Sequence, residues 1–372
     1  MITASKYHVP VIKKNQPDDS YKFLPLPAPT GKYPYHLALK DVCPEITDKQ
    51  IVFHMVGDTG SVRSTGFQRM VAGVMAGQYK PDSLNHQSQF LYHLGDVVYN
   101  YGEAEHYYSQ FFEPYKDYPG PILAIAGNHD SDVNPTGAVP YQSLDAFTTV
   151  FCDTVSRPVI FSGDAPRKSM IQPNIYWTLE TPLATIIGLH SNVPKYGIIT
   201  SEQRNWFMEE LKAADLERPG KALIVCLHHA PYSADVNHSS SLPMIEFLEG
   251  VFNETGTRPD IVFSGHVHNY QRFSKVYGDG ITVPYIVAGA GGYDELHAIA
   301  PTDDERFTSD SALFNGVNLE HYCDNKHGFL KIAIERNFTG LDLAVEYYTL
   351  PHEEATAQEM TAIPEDRLVL HL

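Results

Sequence analysis

The chain has 372 residues, 43% of them hydrophobic, so it can bury one large core or two smaller ones. Its formal net charge of −18 repels polyanions at long range and argues against nucleic acid as a general partner. Four cysteines are too few for a disulfide framework, and no apolar stretch is long enough to span a membrane. The N-terminal region is rich in proline (Pro10, Pro17, Pro25, Pro27, Pro29, Pro34) and shows neither helical nor strand period. Residues 1–48 are therefore expected to form an extended arm on a catalytic domain at 49–350, with 351–372 as a C-terminal tail. Met1 to Asp19 contains no apolar signal segment, which predicts a cytoplasmic protein, or a secreted one if a leader has been removed.

Apolar runs predict strands at 51–56, 90–94, 122–126, 222–227 and 260–264. A short polar motif directly follows each run. In order these are Gly57-Asp58-Thr59-Gly60, Gly95-Asp96-Val97-Val98-Tyr99, Gly127-Asn128-His129-Asp130, His228-His229 and Gly265-His266-Val267-His268. In an α/β protein a residue just past a strand lies on the sheet edge where ligands gather, so Asp, Asn and His side chains converge there. Hard carboxylate and amide oxygens with imidazole nitrogens suit a pair of divalent or trivalent first-row metals. The glycines before Asp58, Asp96, Asn128 and His266 let the backbone turn sharply and approach a ligand.

Between the motifs, residues 63–75 and 103–112 look helical, the second ended near Pro114. Thr200-Ser201-Glu202-Gln203 has the capping-box order and predicts a helix over 201–214; 242–252 is another. After His268, strands at 283–288, 329–335 and 341–349 would build a second sheet packed on the first. Gly289-Ala290-Gly291-Gly292 lacks the lysine of a P-loop and reads as a loop passing close to the metals. Residues 293–325 are polar and irregular, a rim or lid over the site. His54 and His93 lie inside apolar runs and read as core residues, and Cys226 as a buried, inert thiol.

In this order the motifs resemble those of the calcineurin-like metallophosphoesterases, and within them the purple acid phosphatases. Most of the superfamily reads DxH in the first motif. Here Gly60 takes the histidine's place, as in the purple acid phosphatases, which supply instead a tyrosine three residues after the second aspartate, Tyr99 in this chain. The stretch from Gly265 to Arg272 is similar to that subgroup's GHVHAYER. The resemblance implies an α/β fold, a four-layer αββα sandwich of two mixed β-sheets flanked by helices. It places Asp58, Tyr99 and His268 on one metal, ferric iron in the subgroup, and Asn128, His228 and His266 on a second, divalent one, with Asp96 bridging. The implied pair is iron with zinc, manganese or a second iron, and no organic cofactor.

His228 is preferred to His229 because Tyr232 and Ser233 stand where the family places an aromatic residue and a serine; Ala230, where proline is common, departs from the pattern. The resemblance implies that His129 polarises the ester or protonates the leaving group. His238 falls where the subgroup carries a substrate-binding or proton-donating histidine. Asp130 would orient an imidazole or cap a helix. The implied activity is hydrolysis of small phosphate esters, a phosphomonoesterase in which a metal-bound hydroxide attacks phosphorus in line. A phosphodiesterase or nucleotide pyrophosphatase on the same scaffold is the alternative, and a non-catalytic metal-dependent scaffold a second.

Overall fold

The apolar runs that precede the motifs become the parallel centres of two sheets. The computed structural model describes residues 5–79, 87–351 and 362–372. In chain order the strands are β1 Ile12–Lys13, β2 His36–Ala38, β3 Gln50–Val56, β4 Phe90–His93, β5 Ile122–Ala124, β6 Trp177–Glu180, β7 Ala184–Gly188, β8 Ala222–Leu227, β9 Ile261–Ser264, β10 Tyr270–Val276, β11 Thr282–Ala288, β12 Phe307–Thr308, β13 Val317–Cys323, β14 Gly328–Arg336, β15 Leu341–Thr349 and β16 Ile363–His371. The helices are α1 Gly66–Gln78, α2 Ala104–Tyr107, α3 Asn128–Ser131, α4 Asp145–Phe151, α5 Ser201–Asp215 and α6 Leu242–Thr255.

A six-stranded sheet has the order β16-β15-β14-β3-β4-β5, and an eight-stranded sheet the order β13-β10-β11-β9-β8-β7-β6-β2. The strands after His268 therefore do not build the second sheet of their own that was expected: β11 extends the sheet of β8 and β9, while β14 and β15 extend that of β3, because β11 and β14 each fill a free edge beside a motif-bearing strand. Strands β3, β4 and β5 are mutually parallel, as are β7, β8, β9 and β11. These strands are buried on both faces, which is why they read as unbroken apolar runs. Antiparallel β15 instead alternates between buried and half-buried residues along its whole length.

The sheets pack face to face through large aromatic pairs. Tyr92 of β4 stacks on Trp177 of β6 at 5.9 Å between ring centroids, and Tyr270 of β10 lies flat on Tyr347 of β15 at 3.9 Å. The Trp177 indole N–H also donates to the Ala124 carbonyl of β5 at 3.2 Å. On the outer faces, Gln78 of α1 bonds to His54 of β3 and α5 lies against β7. The layers are helices, sheet, sheet, helices, the mixed α/β sandwich that the resemblance implied.

Helix α5 starts as its capping box predicts: the Thr200 hydroxyl accepts from Gln203 N at 3.1 Å. Helix α1 begins three residues later than the sequence suggests, at Gly66, because the Ser61 hydroxyl accepts from Arg63 N and Ser64 N and turns the chain first. His54, His93 and Cys226 are fully buried, with His93 bonded to the Thr59 hydroxyl at 2.9 Å.

Three segments carry more structure than their sequences announce. The N-terminal arm is not only extended chain: β2 pairs in parallel with β6, burying Leu37, and the Trp206 indole donates to Pro34 O at 2.7 Å. The irregular stretch 293–325 contains β13, an edge strand whose outward residues are polar. Beyond residue 351, β16 closes the edge of the six-stranded sheet, and its Asp366 takes a two-point ion pair from Arg272 at 2.7 and 3.0 Å. Edge strands have a solvated side and carry charges, so their periodicity is weak. Strands β6, β7 and β10 and helix α4 also went unread. No helix among the described residues is long and apolar enough to cross a membrane.

Replacing Trp177, which is completely buried, with alanine is expected to cost about 3–5 kcal/mol of stability in urea unfolding. A loss below ~1 kcal/mol would mean that the sheets do not depend on this aromatic contact.

Candidate metal centre

The loops after β3, β4 and β5 of one sheet meet those after β8 and β9 of the other. Hydrogen bonds join them directly: His228 Nδ1–H donates to Leu94 O at 2.8 Å and His266 N to Asp58 Oδ2 at 2.8 Å, while Gly57 N donates to Ala288 O at the end of β11 at 2.9 Å. Glycine makes this crowding feasible, because a methyl group on Gly265 would meet Asp58 Oδ2 at 2.6 Å. The three side chains aimed most sharply inward leave backbones in the left-handed region: Asp58 at φ 58°, Asp96 at 54° and His266 at 69°. Such a backbone costs about 1–3 kcal/mol per residue, and it persists here because surrounding bonds fix it. Both Asp58 oxygens accept from His266 N, at 3.0 and 2.8 Å, and Asp96 Oδ1 accepts from His129 N at 2.9 Å.

Three histidines share one arrangement. His228 Nδ1 lies 2.8 Å from Leu94 O, His266 Nε2 3.1 Å from Lys195 O, and His268 Nδ1 3.1 Å from Glu295 O. A carbonyl can only accept, so each of these ring nitrogens carries the proton and the other presents a lone pair. Those lone pairs face oxygens that are acceptors themselves. His228 Nε2 is 3.1 Å from Asn128 Oδ1 and 3.4 Å from Asp96 Oδ2, and His266 Nδ1 is 2.9 Å from Asn128 Oδ1. His268 Nε2 is 3.2 Å from the Tyr99 hydroxyl and 3.6 Å from Asp58 Oδ1. One ligand atom each from Asp96, His228 and His266 lie within 4.8 Å of one another.

The Tyr99 hydroxyl can donate to His268, but the nitrogens of His228 and His266 face acceptors, a repulsion that a shared cation, or in its absence a second proton on His228, relieves. The electrostatics agree. Burial pushes the Asp58 carboxyl well above its usual range, against the pull of His228. Burial also lowers His228, but Asp96 and then Asp58 outweigh it and raise the imidazole to about 9. Asp96, in spite of burial, is held well below the carboxylate range by His228 and His129. A carboxylate, amide, imidazole and phenol donor set fits hard or borderline metal ions.

All seven residues read as ligands (Asp58, Asp96, Tyr99, Asn128, His228, His266, His268) are thus gathered at one place. His129 sits beside them, its ring 4.3 Å from that of Tyr99 and its Nδ1–H donating to Asn100 O at 2.8 Å. His238 lies against His266 at 4.0 Å between rings, and its buried Nδ1 has no hydrogen-bond partner. His229 packs on the ring of His266 at 4.3 Å between centroids, with its Nδ1 bonded to the Ser191 hydroxyl at 2.7 Å. The Gly-rich loop does pass close, with Tyr293 N donating to Asp58 O at 3.1 Å.

Asp130 differs from the reading that gives it an imidazole to orient. Its carboxylate accepts from the backbone N–H groups of Val97 and Val98, both at 3.0 Å, and of Gly127 at 2.9 Å. It therefore caps α3, the second of the two roles read for it, and ties the Asp96 loop to the start of that helix. His297 is a site residue that the sequence did not single out. Its ring stacks on His268 at 4.3 Å, Nδ1 is 3.4 Å from buried Asp235, and Nε2 accepts from Asn237 at 2.9 Å. It stands alone in a polar stretch with no motif, and only the return of that stretch over the site brings it in.

Comparison with known proteins agrees with this geometry. The profile of the calcineurin-like phosphoesterases matches residues 51–270. Probable purple acid phosphatase 20 of Arabidopsis thaliana is 38% identical over 237 residues, covering 58% of this chain and 49% of that protein. Fe(3+)-Zn(2+) purple acid phosphatase 12 of the same plant is 28% identical over 194 residues, covering 47% and 37%. The chain spans half or less of the length of these curated relatives. Among solved structures, GAP50 of Plasmodium, described as the anchor in the inner membrane complex, superposes with a TM-score of 0.52 at 14% identity, covering 86% of this chain and 90% of that one, a likeness of fold. With that profile spanning most of the motif-bearing region, the chain belongs to the calcineurin-like phosphoesterase family, and its sequence relatives are purple acid phosphatases.

Proposed function

We propose that this protein is a phosphomonoesterase working with two metal ions. The observation that carries the reading is the tautomer lock on three histidines, each giving one ring N–H to a backbone carbonyl and so turning its other nitrogen toward buried carboxylate, amide or phenol oxygens, a donor set that a cation would share. Asp58, Tyr99 and His268 would hold one ion, Asn128, His228 and His266 the other, with Asp96 between them. A phenol and a carboxylate suit a trivalent ion, an amide and two imidazoles a divalent one, so iron with zinc, manganese or a second iron is the pair expected. The relative named for Fe(3+) and Zn(2+) supports that choice.

When bound, two such cations lower the pKa of a water and draw charge off a phosphoryl group. The protein's own groups do the rest. His129 is held by Asn100 O through its Nδ1–H, so that in the imidazolium form its second proton, on Nε2, can go to the departing ester oxygen and leave the ring neutral. His238, with an unpartnered nitrogen beside His266, can donate to a phosphoryl oxygen. Asp130 keeps the Asp96 and Asn128 loops in register by holding three backbone N–H groups.

Asp96→Asn is expected to lower both bound metal, measured by plasma emission, and turnover by more than ~100-fold, beyond the usual cost of losing an outer partner. Near-normal metal content and rate would sink the bridging role. His129→Ala should keep its metal but lose roughly 10²–10⁴ in kcat on p-nitrophenyl phosphate, and less on an ester with a more acidic leaving group. An equal loss on both esters would remove His129 as the proton donor. Metal-reconstituted protein should hydrolyse p-nitrophenyl phosphate faster than bis-p-nitrophenyl phosphate. The reverse order would make it a phosphodiesterase, and no turnover of either would make it a scaffold.

A further inference from the structure

Four imidazoles of the centre, His129, His228, His266 and His268, are each held through a ring nitrogen by a backbone carbonyl. His238 is different. Its Nδ1 is buried without a partner, so packing and the backbone beneath it, rather than a bond to that nitrogen, set the direction of the ring. Three other rings surround it, with centroids at 4.0 Å for His266, 5.0 Å for His297 and 6.3 Å for His268.

The backbone that carries His238 is wound around one carboxylate. Asp235, fully buried, accepts from the backbone N–H groups of Asn237 at 2.8 Å, His238 at 3.0 Å and Ser239 at 2.7 Å, and from the Ser233 hydroxyl at 3.0 Å. The turn leaves Ser239 in the left-handed region, at φ 60°, a conformation that persists only when its surroundings hold it. His297 grips this turn at two points. Its Nδ1 lies 3.4 Å from Asp235 Oδ2, and Asn237, the residue before His238, donates its side-chain amide to Nε2 at 2.9 Å. From the other side His297 is fixed to His268: its backbone N–H donates to His268 O at 2.9 Å, its carbonyl accepts from the Asn269 side chain at 2.7 Å, and its ring stacks on His268 at 4.3 Å. A buried side chain needs partners for its polar atoms, and here both ring nitrogens reach side chains of the turn that presents His238. Removing the imidazole frees that turn in particular.

We propose that His297 is a positioning residue that acts through His238, holding the 235–239 turn so that the His238 ring faces a phosphoryl oxygen at the metal centre. The inference rests on the phosphomonoesterase reading and adds the residue that aims its phosphate-binding imidazole. The test compares the metal-loaded wild type with His297→Ala, His297→Asn, Asn237→Ala, His238→Ala and a His238→Ala/His297→Ala double variant. Turnover of p-nitrophenyl phosphate, affinity for inorganic phosphate by calorimetry, metal content by plasma emission and folding by circular dichroism are measured for each. His297→Ala should keep its metal, bind phosphate more weakly and lose about 10–100-fold in kcat/KM, the usual cost of an outer partner. The double variant should be no slower than His238→Ala alone, because residues that act as one are not additive. His297→Asn, which puts a polar atom where Nδ1 was, should recover a good part of the loss. Asn237→Ala, which leaves His268 untouched, should reproduce part of it. Should His297→Ala not fold, His297→Asn and Asn237→Ala carry the same comparison with and without His238→Ala. Additive losses, or folded variants with wild-type kcat/KM and phosphate affinity, would overturn the positioning role. Loss of metal in His297→Ala with a normal Asn237→Ala would overturn it too, and make His297 a support of His268. A wild type that binds phosphate but leaves p-nitrophenyl phosphate intact would overturn the phosphomonoesterase reading alone, with phosphate affinity then deciding the role of His297.

Discussion

The structure depends on a repeated small constraint, an imidazole whose N–H is tied to the backbone carbonyl of another loop. His228 is tied to Leu94 in the Asp96 loop, His266 to Lys195, and His268 to Glu295 in the segment that returns over the site. Each bond sets a tautomer, a ring orientation and the position of a second loop at once. The His228 bond also crosses from one sheet to the other, so the joint between the sheets and the centre of the chemistry are the same place. Packing farther away, the Tyr92–Trp177 and Tyr270–Tyr347 stacks, keeps that joint from sliding.

Electrostatics at this joint run against the character of the whole molecule. The chain as a whole is strongly acidic, yet the centre buries three histidines, His228, His266 and His268, beside its carboxylates. The centre concentrates buried carboxylates, and a raised His228 answers them from within the protein. Charge of this density in a low-dielectric setting is unfavourable by itself, which is why left-handed backbones and tightly packed glycines are retained there. Stability given up locally in this way is characteristic of functional sites.

Both ends of the described chain serve the sheets as well as the site. Strand β2 covers one edge of the eight-stranded sheet and β16 one edge of the six-stranded sheet, where unpaired backbone groups would otherwise be open to other chains. Residues 11–19 run along the rim of the centre, bonded to Ser239 and Lys195.

The sequence by itself determined the motif-bearing strands, because strands buried on two faces must be unbroken apolar runs, and the residues that end them; which sheet each strand joins was decided by the tertiary structure, since pairing partners are far apart in the chain. Asp58, Asp96, Asn128, His228 and His266 were legible because each stands just past such a run beside the residue types its chemistry needs. The tertiary structure alone decided the rest. Strands β2, β13 and β16 are edge strands with one solvated side, too short or too charged to announce themselves. The place of His297 depends on contacts between segments far apart in the chain, and no local period encodes such a contact. The role of Asp130 turned on which donors lay nearest, and a sequence names a carboxylate without saying which N–H groups will reach it first.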